Sequence, residues 1–184
     1  MKKPTLRIEQ LDNYSFLMAD DIPHSVFPPP EGGYWKYMIP DKEPKKVLIL
    51  GLGGGTIAKI LLEKYPQAQI TGVDYSASVL KLARKHLGLD ETKVTIKIAD
   101  AFDYVLEAKG KYDLIIVDLI NGHWYPLKVF SISFIKKLMR ILEKQGQIYI
   151  NAPNMDHLAE EVFMLLSKEV QKTQIGPNNI YSYG

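Results

Sequence analysis

The chain of 184 residues contains no cysteine, which excludes disulfides, thiolate metal sites and a cysteine nucleophile. It also lacks a charge excess of either sign, because 23 Lys and Arg residues oppose 21 Asp and Glu residues and leave a net charge of +2. No block of basic residues is long enough to indicate a polyanion partner. We therefore expect no nucleic acid among its partners.

Long hydrophobic runs are absent as well, since no stretch approaches the roughly 20 apolar residues that cross a membrane. The N-terminal residues Met1–Pro4 do not lead into the apolar core of a signal peptide. These absences predict a cytoplasmic protein without a membrane partner. The histidines, at positions 24, 86, 123 and 157, show no metal-ligand spacing, so we predict no metal site.

What the sequence does contain is a buried-strand pattern that runs directly into a glycine-rich turn. Four apolar residues, Val47–Leu50, have the length and composition of a strand buried on both faces. Glycines 51, 53, 54 and 55 follow and allow a sharp turn close to a ligand. A helical pattern then continues to Tyr65, before Pro66. Because free N–H groups and the helix dipole would face the ligand, this stretch predicts a nucleotide-type binding site.

Strand and helix patterns then alternate and predict an α/β fold, a Rossmann-like, doubly wound, mostly parallel sheet. A closing hairpin at 170–183 would add an antiparallel edge. Residues 1–44 are predicted as an N-terminal extension, with a β-hairpin (Leu6–Gln10 and Tyr14–Met18) and an irregular segment from Ile22 to Pro40; residues 45–184 form the Rossmann-like domain. The predicted strands are Lys45–Leu50, Gln69–Asp74, Lys93–Ala99, Tyr112–Asp118 and Gln147–Asn151, and the predicted helices are Gly55–Tyr65, Ser76–Leu87, Asp100–Ala108, Ser131–Lys144 and Met155–Ser167.

Carboxylates end three successive predicted strands, at Asp74, Asp100 and Asp118. Ligands of open parallel sheets bind beyond the carboxyl ends of the strands, so these acids should meet beside the glycine turn. Asp74 lies about 20 residues beyond the glycines, where a ribose-binding acid is expected. Thr56 occupies the place of the third glycine of G-x-G-x-x-G, which makes the NAD pattern imperfect and leaves NAD a weaker alternative.

The pattern Gly51-x-Gly53-x-Gly55 with a strand-end acid resembles the S-adenosylmethionine site of class I methyltransferases. Under this resemblance Asp74 binds the ribose, and Asp100, with Ala101 and Phe102, hydrogen-bonds the adenine amino group against apolar walls. Tyr75 either packs on the adenosine or lies on the surface. Asp118 faces the sulfonium, where it stabilises the cation or orients an amine nucleophile.

The resemblance narrows to the spermidine synthase (polyamine aminopropyltransferase) version of this site over residues 37–152. Three stretches carry this resemblance: Pro44-Lys45-Lys46 ahead of the apolar run Val47–Leu50, Asp100-Ala101-Phe102, and Lys111-Tyr112-Asp113-Leu114-Ile115-Ile116-Val117-Asp118. The chain also lacks the acid that many methyltransferases carry two residues before the first glycine, here Gly51. The resemblance implies decarboxylated S-adenosylmethionine as donor and a small-molecule amine as acceptor. It also implies dimers or larger assemblies, so a homo-oligomer is one of the states that the sequence leaves open.

The chain departs from this family at several positions. Gly54 replaces the acid that holds the donor's amino group, and Asn121 replaces the second acid of the Asp-Ser-x-Asp-Pro loop. Tyr-His-Glu-Met becomes Trp35-Lys36-Tyr37-Met38. An acid at 54 would repel the carboxylate of intact S-adenosylmethionine, whereas Gly54 would free N–H groups to bind it. These departures favour a methyltransferase that uses S-adenosylmethionine and acts on a small molecule; the alternatives are aminopropyl transfer and a non-catalytic binding or assembly module.

The acceptor side is represented by the loop that follows Asp118, Asn121-Gly122-His123-Trp124-Tyr125-Pro126. His123 is a candidate base near neutral pH or simply a solvated loop residue. Asp118 and His123 are therefore the catalytic candidates. Trp35 and Tyr37 either cover one end of the core or help to wall the substrate pocket.

Overall fold

The computed structural model describes residues 4–120, 122, 124–153, 159–162 and 170–184. Its strands form a three-stranded sheet in the order β1-β2-β3 and a seven-stranded sheet in the order β6-β5-β4-β7-β8-β10-β9. The strands are β1 (Leu6–Leu11), β2 (Tyr14–Ala19), β3 (Ile22–Phe27), β4 (Lys46–Leu50), β5 (Gln69–Asp74), β6 (Val94–Ile98), β7 (Tyr112–Val117), β8 (Leu142–Asn151), β9 (Gln171–Ile175) and β10 (Asn178–Tyr183). The helices are α1 (Thr56–Lys64), α2 (Ala77–His86), α3 (Ala101–Glu107) and α4 (Ile132–Ile141), with short 3-10 turns at Tyr34–Met38 and Leu127–Phe130.

The predicted Rossmann-like sheet is confirmed. Strands β4 to β8 pair in parallel, whereas β10 is antiparallel to both β8 and β9. The chain order runs outward from β4 to β5 and β6 on one side and from β7 to β8 on the other. Since the winding reverses between β4 and β7, a ligand crevice is expected at the carboxyl ends of these two strands.

The core lies on both faces of this sheet, which explains the unbroken apolar run of β4. Leu48 and Leu50 face one layer together with residues of α4, while Val47 and Ile49 face the other layer with residues of α1. All four side chains are at most 1% exposed. A parallel strand covered on both faces needs apolar residues at consecutive positions.

The N-terminal extension differs from the prediction. Its hairpin, β1 and β2, is confirmed, but Ile22–Phe27 is a third strand that pairs antiparallel with β2. The expectation of an irregular segment is therefore wrong for these residues. The pattern was hard to read because Pro23 interrupts the strand and a register shift lies between Leu17 and Met18 on its partner.

Two boundaries near the C-terminus also differ. Helix α4 ends at Ile141 instead of Lys144, and β8 begins at Leu142 instead of Gln147. Leu142 already has extended backbone angles and pairs with Tyr112 of β7, so strand pairing overrides the helix-favouring residues that follow. The predicted helix Met155–Ser167 falls mostly outside the described residues, and residues 159–162 are helical. No helix in the described ranges is long and apolar enough to span a bilayer.

Candidate active site

The glycine turn lies between β4 and α1, against the end of β7. Gly51 has a φ of +89°, and a Cβ there would overlap the backbone carbonyl of Asp118. Only glycine allows β4 to turn this close to the neighbouring strand end. The predicted sharp turn is therefore present, and it brings Gly51 directly beside Asp118.

Every backbone N–H of the turn, from position 51 to 55, already has an acceptor in the chain. Gly51 and Leu52 donate to the carbonyl oxygen of Val73 over 2.9 and 3.0 Å, and Gly55 donates to the carbonyl of Leu52 over 2.9 Å. The N–H of Gly53 donates to the carboxylate of Asp74, and that of Gly54 donates to Ser25. The prediction of free N–H groups is therefore wrong for these positions. A ligand can pack against the turn but finds no free backbone donor at 51–55.

The space beside Gly54 is filled by a side chain of the N-terminal sheet. Ser25 on β3 accepts the Gly54 N–H at 2.7 Å, and a Cβ on Gly54 would lie 2.6 Å from the Cβ of Ser25 and overlap Leu87. Gly54 therefore frees no N–H group for a carboxylate, contrary to the prediction, because β3 has filled the space. Ser25 was missed, since its partner lies 29 positions away in the sequence.

Thr56, at the position of the missing third glycine, fastens the same two elements. Its hydroxyl accepts the Val26 N–H at 2.9 Å and donates to the Val26 carbonyl at 3.0 Å. Thr56 is 4% exposed, so these bonds are shielded from water. Thr56, the first residue of α1, thus holds β3 against the turn. The position that the third glycine of G-x-G-x-x-G would occupy has a structural role here.

Asp74 ends β5 at the rim, as predicted. One carboxylate oxygen accepts the Gly53 N–H at 2.8 Å, and the other accepts the Ser76 N–H at 2.8 Å. Burial raises the pKa of Asp74, and these two backbone donors oppose the rise. Since a carboxylate has about four lone-pair positions, acceptor capacity remains for two ribose hydroxyls.

The residues predicted to bind adenine lie after the ends of β5 and β6, and their role stays a prediction. Asp100 is exposed and caps α3, because its Oδ1 accepts the N–H groups of Phe102 at 2.8 Å and Asp103 at 3.1 Å. Its Oδ2 is the oxygen that the predicted bond to an adenine amino group would use. Exposed apolar side chains border this region at Tyr75 (57%) and Ile98 (58%).

Ala101 and Phe102, the predicted apolar walls, point largely into the protein. Ala101 is buried in the core, and the ring of Phe102 packs on Phe134 with centroids 4.7 Å apart. The ammonium of Lys128 lies 4.6 Å from the centroid of the Phe102 ring. The ring of Phe102 is therefore occupied by protein contacts, and Ile98, which the sequence analysis did not name, is the more accessible apolar surface.

Asp118 is the most strongly perturbed acid of the rim. The hydroxyl of Tyr34 donates to its Oδ2 at 2.9 Å, and Nδ2 of Asn151 donates to its Oδ1 at 2.9 Å. Burial of the carboxyl group raises the pKa of Asp118 to about 6, although both hydrogen bonds favour the charged form. Asp118 therefore changes protonation close to neutral pH.

Tyr34 and Asn151 were both missed by the sequence analysis, which considered Trp35 and Tyr37 instead. Trp35 is 9% exposed and belongs to the core, so it covers one end of the core. Tyr37 is 50% exposed. The ring that reaches Asp118 is set by a contact across 84 positions, which no local pattern of the segment shows.

His123 and Asn121 lie outside the described residues, so the role of His123 as a base stays a prediction. Between them, the N–H of Gly122 donates to Nε2 of His24 at 2.9 Å. Burial lowers the pKa of His24, and the nearby Asp20 opposes this effect. His24 therefore acts here as a neutral acceptor that ties the loop after β7 to β3.

Taken together, the rim offers a tight turn with no free amide at 51–55, a strand-end acid at Asp74 and a partly buried acid of raised pKa at Asp118. This arrangement suits a neutral or cationic nucleoside better than a pyrophosphate, because the amides that would bind phosphate are taken. The fold and the site define a Rossmann-like protein of the class I S-adenosylmethionine-dependent methyltransferase fold.

The chain belongs to the spermine/spermidine synthase domain family, which matches residues 37–182. It is 31% identical over 147 residues to a polyamine aminopropyltransferase of Oceanobacillus iheyensis, an alignment that covers 75% of this chain and 28% of the relative. The chain thus spans about a quarter of that protein's length.

Solved structures give the same fold. A probable spermidine synthase from Corynebacterium glutamicum superposes with a TM-score of 0.83 at 19% identity, over 96% of this chain and 75% of that one. Human methyltransferase-like protein 13 in complex with SAH superposes with a TM-score of 0.67 at 25% identity, over 76% of this chain and 71% of that one. These structures show the shared fold; the family match over residues 37–182 confirms the narrower resemblance to spermidine synthases.

Proposed function

We propose that the chain transfers an aminopropyl group from decarboxylated S-adenosylmethionine to a small amine. The observation that carries the proposal is Asp118, a partly buried carboxylate beside the glycine turn, held by two hydrogen bonds and with a pKa raised to about 6. Membership of the spermine/spermidine synthase domain family and similarity to a protein named as a polyamine aminopropyltransferase support the same activity. The predicted main function, methyl transfer from intact S-adenosylmethionine, becomes the second candidate.

The role proposed for Asp118 follows from the charge of the reactants. An amine is protonated near neutral pH and must lose a proton before its nitrogen can attack. Asp118 accepts that proton, the nitrogen attacks the aminopropyl carbon next to sulfur, and the bonding pair of the C–S bond stays on sulfur. The products are the alkylated amine and a neutral thioether. A base is most useful when its pKa lies near the working pH.

The occupied turn supports the decarboxylated donor. Intact S-adenosylmethionine carries a carboxylate, which needs hydrogen-bond donors or cations. The N–H groups of positions 51–55 are already paired, including that of Gly54. A donor with an aminopropyl chain brings no carboxylate to this turn. The absence of an acid at position 54 still favours methyl transfer, the second candidate, because an acid there would repel the carboxylate of intact S-adenosylmethionine.

Calorimetry with the two donors tests the proposal. We expect tighter binding of decarboxylated S-adenosylmethionine, and transfer of label from it to at least one member of a panel of diamines. Asp118→Asn should keep donor binding and lose transfer. Tighter binding of the intact form together with methylated product would establish the second candidate instead. Binding of either donor without any turnover would favour a non-catalytic module.

A further inference from the structure

Asn151, at the end of β8, connects Asp118 to the closing hairpin. The residue is fully buried, and its Nδ2 donates both to Oδ1 of Asp118 at 2.9 Å and to Oδ1 of Asn178 at 3.1 Å. Asn178 is the first residue of β10, whose Ile180 lies opposite Asn151 in the antiparallel pair. The closing hairpin thereby reaches the reactive carboxylate through one side chain.

The orientation of the Asn151 amide matters for Asp118. An amide carries two donors on nitrogen and only acceptors on oxygen, and the two ends have nearly the same size. In the observed orientation both N–H groups are used, and Oδ1 has no hydrogen-bond partner within the described residues. A reversed amide would place Oδ1 against the Asp118 carboxylate and disfavour its charged form.

Asn178 makes the reversal costly. Asn178 presents its oxygen and Asp118 its carboxylate, so only the nitrogen end of Asn151 satisfies both, and a reversed Asn151 would require the Asn178 amide to reverse as well. Without Asn178, protonated Asp118 could donate to a reversed Asn151, so the amide would stabilise the acid and raise its pKa. We propose that Asn178 is a positioning residue that acts through Asn151 to keep a donor on Asp118, which rests on the proton-accepting role proposed above for that carboxylate.

Other titratable groups that face Asp118 do not duplicate this function. Tyr34 donates from the 3-10 turn at Tyr34–Met38, and burial raises its pKa well above the ordinary value. Burial likewise raises the pKa of Tyr125, whose hydroxyl donates to the backbone carbonyl of Asn151. Both phenols remain neutral near pH 7, so neither competes with Asp118 for a proton there.

Carbon-13 NMR titration of the Asp side chains tests the proposal in the absence of donor and amine. The Asp118 signal is assigned with Asp118→Asn. We expect Asn151→Leu to move its midpoint upward by about one pH unit, the value of one lost hydrogen bond to a charged group. Asn178→Ala should move it upward by a smaller amount. If Asn151→Leu does not fold, Asn178→Ala alone decides, because Asn178 is only partly buried.

The matched control is Asn179→Ala, which replaces the adjacent asparagine on the same strand, a buried residue. It should leave the midpoint unchanged. An unchanged midpoint in Asn178→Ala, or an equal shift in Asn179→Ala, would overturn the positioning role. Since the titration needs no turnover, a shift in Asn178→Ala with no transfer to any amine would retain this link and reject the proposed function.

Discussion

Replacement of Tyr34 by phenylalanine should lower the rate of transfer at pH 7 and leave it nearly unchanged at pH 9. The change keeps the ring and removes the hydroxyl that donates to Asp118 at 2.9 Å. Hydrogen bonds to charged groups contribute about 1.5–3 kcal/mol, which corresponds to about 1–2 pKa units. Starting from a pKa of about 6, Asp118 should therefore titrate near pH 7 to 8 in the variant.

The expected rates follow from the ionised fraction of Asp118. At pH 7 that fraction falls from about 90% to between about 50% and 10%, so kcat/KM should drop about 2- to 10-fold. At pH 9 the acid is ionised in both proteins, and most of the loss should disappear. The assay is aminopropyl transfer from pH 5.5 to 9.5, with the amine identified by the panel.

The control for this experiment is Tyr37→Phe. Tyr37 lies in the same 3-10 turn and is half exposed, so loss of its hydroxyl should leave the profile unchanged. A loss in Tyr34→Phe of the same size at pH 7 and pH 9 would refute the reasoning. It would mean that Tyr34 acts on geometry alone and not on the ionisation of Asp118.

Three further predictions concern stability. Because the folded-state pKa of Asp118 is raised, its ionisation should lower the free energy of unfolding of the wild type by about 2–3 kcal/mol as pH rises from 4 to 8. Asp118→Asn cannot ionise, so in urea unfolding its stability relative to wild type should rise by that amount over this range. A stability difference that does not change with pH would contradict the raised pKa. Gly51→Ala should lower the free energy of unfolding by several kcal/mol, because the added Cβ overlaps the Asp118 carbonyl. Gly32→Ala is the control, since nothing lies within 4 Å of its added Cβ, and equal unfolding midpoints of the two variants would show that the turn relaxes. Ser25→Ala should lose about 1–3 kcal/mol, because it leaves the Gly54 N–H buried without its acceptor, and wild-type thermal stability would disprove that contact.

Those parts of the fold that depend on local pattern could be predicted from the sequence. The apolar run of β4, the glycines that follow and the acids at the ends of β5 and β7 are each visible within a few residues. Parallel winding then brings Asp74 and Asp118 to one rim without any knowledge of packing. The confirmed doubly wound, mostly parallel sheet followed from this alternation of strands and helices.

What the sequence could not provide were contacts between distant segments. Ser25 and Tyr34 lie before the first core strand, yet they reach Gly54 and Asp118 across 29 and 84 positions. No periodicity reports such pairs, because they depend on how two sheets dock. The end of α4 was missed for a related reason, since pairing of Leu142 with β7 outweighed local helix propensity.

The glycine turn holds its own shape before any ligand arrives. Its backbone donors are all spent on the protein, so a nucleoside that enters need not order this part of the chain, and the entropic cost of binding is correspondingly small. The same pairing means that the turn adds no amide hydrogen bond to either sulfonium donor, and leaves the carboxylate of the intact form without one. Choice between donors is left to the side chains around it, and an exchange of one or two of them can redirect the chemistry while the turn stays as it is.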